Sequence, residues 1–354
     1  MMDTNPKYSY EIDFLPVGDG KKSGDAIAMR WWHGEWSKER QKVMVIDGGT
    51  KESGRKLVEH IEKYYETKRV DHAINTHPDQ DHASGLTEVL ENLEVRELWI
   101  HRPWEHIEEI VKFVDKNSNF KGDKRATVDS IRDRFSWDYY QYAKELEKIA
   151  LSKKISVQEP YAGKKIGEFC ILSPSQSWHL FDLIPNSDKT KEFKPTKENP
   201  KSDEKTSREN ESSVILYGNL GYGGILFTGD AGVEALGGAY QYAKKRRIDI
   251  AKNLKFIQVP HHGSRRNVSS QVLDHLIGEI ETNKEKSISA FVSAGKNDSS
   301  HPRQVVVNAF IDRGCKVFAT QGAKIRHSRG DDVPEREGWT TADPIPYKEV
   351  KSHD

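Results

Sequence analysis

Thr76-His77-Pro78-Asp79-Gln80-Asp81-His82 is the stretch that decides the fold. An apolar strand, predicted over 70–76, runs into it. A helix runs out of it, with Leu86, Val89, Leu90 and Leu93 recurring at helical spacing. Four side chains able to ligate a metal, His77, Asp79, Asp81 and His82, are therefore crowded into one loop. Carboxylates packed so closely repel and raise each other's pKa, whereas one or two divalent cations turn the same cluster into a stable one. The competing possibility is a polar helix N-terminus, with Asp81 capping it and His77 an ordinary loop histidine.

Outward from this loop, further strands are predicted at 9–17, 26–32, 42–46 and 94–100, and Leu57, Ile61 and Tyr64 mark a helix before the strand at 70. A second series begins near Gly167, with strands ending at Leu172 and spanning 213–217, 224–228, 254–259, 288–292 and 316–319, and helices at 232–245, 268–279 and 302–312. Two similarly ordered halves predict two facing sheets with helices outside, an α/β architecture in a single domain over 1–354. Residues 103–152, charged and helix-prone, are expected to form an inserted helical cap. Residues 185–211, with scarcely an apolar side chain, are expected to form a flexible surface loop. The tail after Gly330 reads as an irregular wrap anchored by Trp339.

Composition excludes several classes. Lys+Arg and Asp+Glu both number 55, so no global field holds the chain on nucleic acid or an anionic membrane, and an anionic partner must be held locally. The longest apolar runs, 43–46 and 256–259, fall far short of the roughly 20 residues that cross a bilayer, so no membrane insertion is expected. The first residues lack a basic start and apolar stretch, which makes the cytoplasm the expected location. Cys170 and Cys315, without a CxxC, predict neither a disulfide framework nor a thiolate metal site, and both are expected to be buried and reduced.

Further ligand-type residues stand at the ends of other predicted strands. Asp230 closes Leu226-Phe227-Thr228-Gly229-Asp230, and His261-His262 follow the strand at 254–259 and precede Gly263-Ser264. A turn aspartate is common on its own, but adjacent histidines at a strand end suit a transition metal. In order along the chain, Asp47-Gly48-Gly49, the HxDxDH run, Thr228-Gly229-Asp230 and His261-His262-Gly263-Ser264 resemble the metallo-β-lactamase fold family. More closely they resemble its ComEC-like branch, the hydrolase domain of bacterial competence proteins. Residues 14–20 (FLPVGDG), Gly85-Leu86, Asn210 with Ser212-Ser213-Val214, and Ser300-His301-Pro302 extend the likeness over about residues 10–320.

The resemblance implies a four-layer αββα sandwich with a helical insertion and a two-metal site between the sheet edges. By carry-over, His77 and Asp79 would hold one divalent ion and Asp81, His82 and His261 the other. Asp230 would bridge, and His262 is an alternative or additional ligand. Asp47 is expected to orient a ligand from behind. The nucleophile implied is a hydroxide bridging the two ions. The sequence departs from the broad family at Asp79, where a second histidine is usual, and in having only His179 between His106 and His261. More oxygen and less imidazole at the first position shifts preference from Zn²⁺ toward Mn²⁺ or Mg²⁺. His301 is expected to bind an anionic oxygen or protonate a leaving group, and Asp81 is expected to share the catalytic work. Asp19 and Asp25 lie near the same strand ends, and Lys21, Lys22, Arg265 and Arg266 could lend local positive charge, although such pairs are usually a solvated face. His101-Arg102-Pro103-Trp104 ends another strand at that edge.

The function expected is that of a metal-dependent phosphodiesterase or nuclease, its partner a phosphodiester, DNA or a nucleotide. A small-ester hydrolase (phosphocholine ester, cyclic nucleotide or lactone) and a partner-binding protein with a degenerate site are the alternatives.

Overall fold

In β1 (Tyr8–Phe14), β2 (Ala26–His33) and β3 (Lys42–Gly48), alternate side chains divide between two cores. Tyr10, Ile12, Phe14, Ile27, Met29, Trp31, Met44 and Ile46 point inward between the sheets, while Ala26, Ala28, Val43 and Val45 point outward to helices. The computed structural model describes residues 6–18, 23–117, 129, 131–133, 140–187, 206–280 and 287–350. Lys21, Lys22 and Asp19 lie outside these residues, as does most of the loop expected at 185–211.

With β4 (Arg69–Ile74), β5 (Glu94–Trp99), β6 (Ser156–Gln158) and β14 (Ile325–Arg329), these strands form one seven-stranded sheet in the order β14-β1-β2-β3-β4-β5-β6. The second sheet runs β13-β12-β11-β10-β9-β8-β7, from β7 (Lys165–Ile166), β8 (Phe169–Ser173), β9 (Ile215–Asn219), β10 (Gly224–Phe227), β11 (Leu254–Gln258), β12 (Ile288–Val292) and β13 (Cys315–Ala319). Each sheet is antiparallel on one side and parallel on the other, with β3-β4-β5-β6 and β10-β11-β12-β13 the parallel runs. Phe169, Phe227, Phe256 and Phe291 fill the space between the sheets from the second side. Helices α1 (Lys51–His60), α2 (Gln80–Ala83) and α3 (Leu86–Asn92) cover the first sheet, and the helices at Val233–Lys245, Ser270–Leu276 and Gln304–Ile311 cover the second. The four αββα layers are thus present.

Three differences from the sequence-based expectations have physical causes. The helix at Gln141–Ser152 buries Leu146 and Ala150 against Leu86 and Leu90 in the outer layer, and β6 follows it parallel to β5. The second half of the expected insertion is therefore the crossover of a β-α-β unit, and α4 (Ile107–Lys116) packs instead with Leu180 and Ile184. The end of the expected surface loop is buried, with Thr206 and Glu209 to Ser213 all under a tenth exposed. Strand β14, too polar to be read from alternation, is held by pairing with β1. Cys315 is buried as expected, whereas Cys170 is half-buried, and both are free thiols.

The outer face of β1 carries Glu11 and Asp13, both fully buried. Arg336 donates from Nη1 and Nη2 to the two Asp13 oxygens at 2.7 and 2.8 Å, and Tyr65 donates to Oδ2 at 2.6 Å. Arg30 and Arg326 pair with Glu11, and the Arg336 guanidinium lies 4.8 Å from the Trp339 ring and 4.9 Å from Tyr64. The tail is anchored at Trp339 as expected, through this arginine. Breaking a buried pair leaves an uncompensated charge, so Arg336→Met should lower the unfolding free energy by about 3–5 kcal/mol in urea titration.

Burial opposes the Asp13 charge, but His60 and Arg336 override it and hold the carboxyl well below its usual range. A carboxyl depressed on folding stabilises the fold above its unfolded pKa of about 4 and loses that contribution as pH falls below it. The drop in stability between about pH 4 and pH 2 should therefore be smaller in Asp13→Asn than in wild type, as read by urea midpoints.

Candidate metal centre

The loops that leave the C-terminal ends of β3, β4, β10, β11 and β12 meet at one edge of the sandwich. Asp47, Asn75 to His82, Thr228 to Asp230, His261-His262 and Ser293 all lie there. Asp47 takes a left-handed conformation (φ 55°), which aims its carboxylate back across the edge of the first sheet. Its Oδ1 accepts from the Thr76 amide at 2.8 Å, and its Oδ2 accepts from the Thr76 hydroxyl at 2.6 Å and from His82 Nδ1 at 2.8 Å. A side chain at Gly85 would put its Cβ 1.9 Å from the Gly48 carbonyl oxygen, so only glycine lets the Asp47 turn press against the loop that carries His82.

Four imidazoles are fixed through Nδ1. His82 donates to Asp47. His77 Nδ1 lies 3.0 Å from Thr76 Oγ1, which accepts because its own proton goes to Asp47. His262 Nδ1 donates to the Ser293 carbonyl at 3.0 Å. His261 Nδ1 lies 3.0 Å from both Asn267 Oδ1 and Asn210 Nδ2, and Asn267 donates from its NH₂ to the carbonyls of Asp230 and Ala231. His261 and His262 both adopt left-handed φ (45° and 56°), a cost carried only where surrounding contacts enforce it.

With Nδ1 occupied, each ring turns Nε2 toward Asp230. The distances from Asp230 Oδ2 are 3.5 Å to His82, 3.7 Å to His261, and 3.8 Å to His77 and to His262. Buried His77 Nε2, His82 Nε2 and Asp230 Oδ1 have no hydrogen-bond partner. Burial, with His82 alongside, keeps His77 below the usual imidazole pKa, and burial brings His262 down to about 3, so both offer lone pairs at neutral pH. Burial also works against a charged His82, but Asp230 and Asp47 outweigh it and raise its pKa well above the ordinary value. Orphaned buried nitrogens around one carboxylate are the donor set a divalent cation requires.

Of the residues singled out in the sequence, Asp81, His82 and His262 place one donor atom each within 4.8 Å of one another, as do Asp47, His77 and His82, and Asp25, Asp230 and His262. Asp79 Oδ2 is 3.9 Å from His77 Nε2. The histidine grouped with Asp81 and His82 is His262, which the resemblance had left as an alternative or additional ligand beside His261. His301 sits at the rim, its ring 6.3 Å from His261 and 6.4 Å from His262, with Nδ1 3.1 Å from Asp298 Oδ2. Arg265 and Arg266 are exposed near by. Ser213 accepts the Asp230 amide at 3.1 Å, whereas Ser212 bonds back to the Glu209 carbonyl.

Sequence reasoning gave no role to Asn267, Ser293, Gln258 or Asp25. Asp25 accepts from Gln258 Nε2 at 2.8 Å, and burial, against the pull of His82, pushes its pKa up to about 7. Gln258 in turn accepts the Thr228 and Gly229 amides, so it aligns the turn that presents Asp230. A glutamine at an otherwise apolar strand end, two residues before Pro260, was the available signal.

Residues 38–137 match the family model described as the metallo-beta-lactamase superfamily. No curated protein matches the chain. Among solved structures, the metallo-beta-lactamase fold protein YhfI from Bacillus subtilis is similar at 7% identity and a TM-score of 0.39, over 91% of this chain and 100% of that one. A diphosphatase from the PhnP family aligns at 10% identity and 0.40, over 91% and 98%. Tm1679, a metal-dependent hydrolase of the beta-lactamase superfamily, aligns at 10% and 0.41, over 91% and 100%. Likenesses this distant decide nothing about activity.

Loss of a group that orients a metal ligand typically costs 10- to 100-fold in affinity. Asp47→Asn, which keeps a side chain tolerant of positive φ, should weaken metal binding by about that factor in competition with a chelator, with an unchanged circular dichroism spectrum.

Proposed function

We propose that the chain is a metal-dependent hydrolase that cleaves phosphodiesters. The observation that carries this reading is the convergence of four Nδ1-anchored imidazoles on the single oxygen Asp230 Oδ2. His77 and Asp79 would hold one ion, with His261 Nε2 supplying the imidazole that the sequence lacks at position 79. Asp81, His82 and His262 would hold the other, and Asp230 would be available to both. The carboxylates of Asp79, Asp81 and Asp230 make the pair suited to Mn²⁺ or Mg²⁺ as well as Zn²⁺. Such ions, when bound, polarise a phosphoryl oxygen and lower the pKa of water in the site.

The protein's own groups supply orientation and proton handling. Asp47 fixes His82 directly and His77 through Thr76, so neither ring has to reorganise during the reaction. Asp298 accepts from the Ser300 and His301 amides and holds His301 Nδ1. Burial works against the Asp298 charge, but these contacts and Ser23 keep its carboxyl below the usual range. His301 Nε2 is left to pass a proton to the departing oxygen. A substrate of limited size is favoured over a long polymer by Tyr140, Leu183 and Ile184, which wall the space beside His77, with α4 packed behind Ile184. No helix among the described residues is long and apolar enough to cross a membrane.

With Mn²⁺ added, the protein should hydrolyse bis-p-nitrophenyl phosphate, with linear DNA, RNA and a lactone as the comparison substrates. Asp81→Ala should lose bound metal by elemental analysis together with activity. His301→Ala should keep its metal and lose turnover by on the order of 10²-fold. Metal-loaded protein that cleaves only the lactone, or none of these, refutes the phosphodiesterase reading.

A further inference from the structure

Beside His77 lies a cavity of about 20 Å³, walled by His101, His179, Glu209, Ser212 and Tyr140 besides His77 itself. It is large enough for one water-sized group, which needs about 10–15 Å³. Its walls are unusual in what they leave unbonded. Glu209 is 4% exposed and its Oε1 accepts from Ser187, but its Oε2 has no partner. His101 is 7% exposed, and the polar group its ring meets is the Ser212 backbone. The His101 and His179 ring centroids lie 4.3 Å apart with the planes tilted by 32°, and burial keeps the first well below the usual imidazole range and brings the second to about 3. Both are therefore neutral, and each ring keeps an acceptor nitrogen.

The chemistry of these walls selects the occupant. An anion would face the Glu209 carboxylate, and the one guanidinium at the rim, Arg208, is already taken by Glu234 at 2.7 Å. An apolar group would leave a buried carboxylate oxygen and ring nitrogens unsatisfied, at high cost. What fits is a compact group with several N–H donors and positive charge. We propose that this cavity receives a primary ammonium group of the substrate, so that the enzyme acts on aminoalkyl esters of phosphate. Because His77 is wall to both the cavity and the metal centre, a short alkyl chain spans from one to the other. Tyr140, Leu183 and Ile184 provide the apolar lining for such a chain. The identification of the substrate rests on the hydrolase reading above, but the ammonium site does not.

Two measurements separate the ideas. The first compares p-nitrophenyl 2-aminoethyl phosphate, its trimethylammonium analogue and bis-p-nitrophenyl phosphate on the metal-loaded enzyme. The aminoethyl ester should show the lowest KM, since the trimethyl head has no donor and is too large. Glu209→Gln, which keeps an oxygen for Ser187, should raise that KM by about 10- to 100-fold, while kinetics on bis-p-nitrophenyl phosphate stay unchanged. The second is equilibrium dialysis of labelled methylammonium against the same two proteins, which needs no turnover. Binding to wild type that is lost in Glu209→Gln supports the site even if no ester is hydrolysed, and in that case the hydrolase reading alone falls. Absence of methylammonium binding together with equal KM values for the aminoethyl and trimethyl esters overturns the proposal and leaves the cavity a place for a structural water.

Discussion

Four imidazoles packed around one carboxylate oxygen, with their other ring nitrogens already engaged, have little reason to gather unless a cation is to be held among them. The rest of the edge is arranged to keep them there. Asp47 grips two histidines, one directly and one through Thr76, Ser293 holds a third, and Asn267 a fourth. Each of these holding groups is itself buried, and three backbone positions at the site, Asp47, His261 and His262, sit in a region that non-glycine residues seldom adopt. Strain and buried polarity are concentrated where the ligand atoms converge, and the hydrophobic layers on either side supply the stability that tolerates them.

The donor set is drawn from both sheets. His77 and Asp79 come from the loop after β4 and Asp81 and His82 from α2, while Asp230, His261 and His262 follow β10 and β11. Their parallel strands end at the same edge, so ligands far apart in sequence meet without any long excursion of the chain. Gln258 stitches the halves, since it binds the turn of Asp230 on one side and Asp25 of the first half on the other.

Much of this was legible in the amino-acid sequence. Strands such as 42–46 and 288–292 announced themselves by β-branched and aromatic residues between turns, and histidines and aspartates crowded into 77–82 repel one another unless a cation lies among them. The polar strand β14 escaped detection, because Ile325-Arg326-His327-Ser328-Arg329 has a single apolar side chain and so shows no alternation to read. Short β6 and β7 were missed for want of length. The choice between His261 and His262 could not be read at all. Both rings reach Asp230 through consecutive left-handed residues, and spacing along a chain carries no record of such a backbone.

The pairing of β1 with β14, and of Asp13 with Arg336, joins residues separated by more than three hundred positions. Arg30 meets Glu11 from the neighbouring strand, but Arg326 and Arg336 reach the two carboxylates only once β14 and the segment after it have docked. A buried carboxylate stripped of its guanidinium is costly to enclose, so closing the outer face of the first sheet is coupled to the docking of a segment remote along the chain.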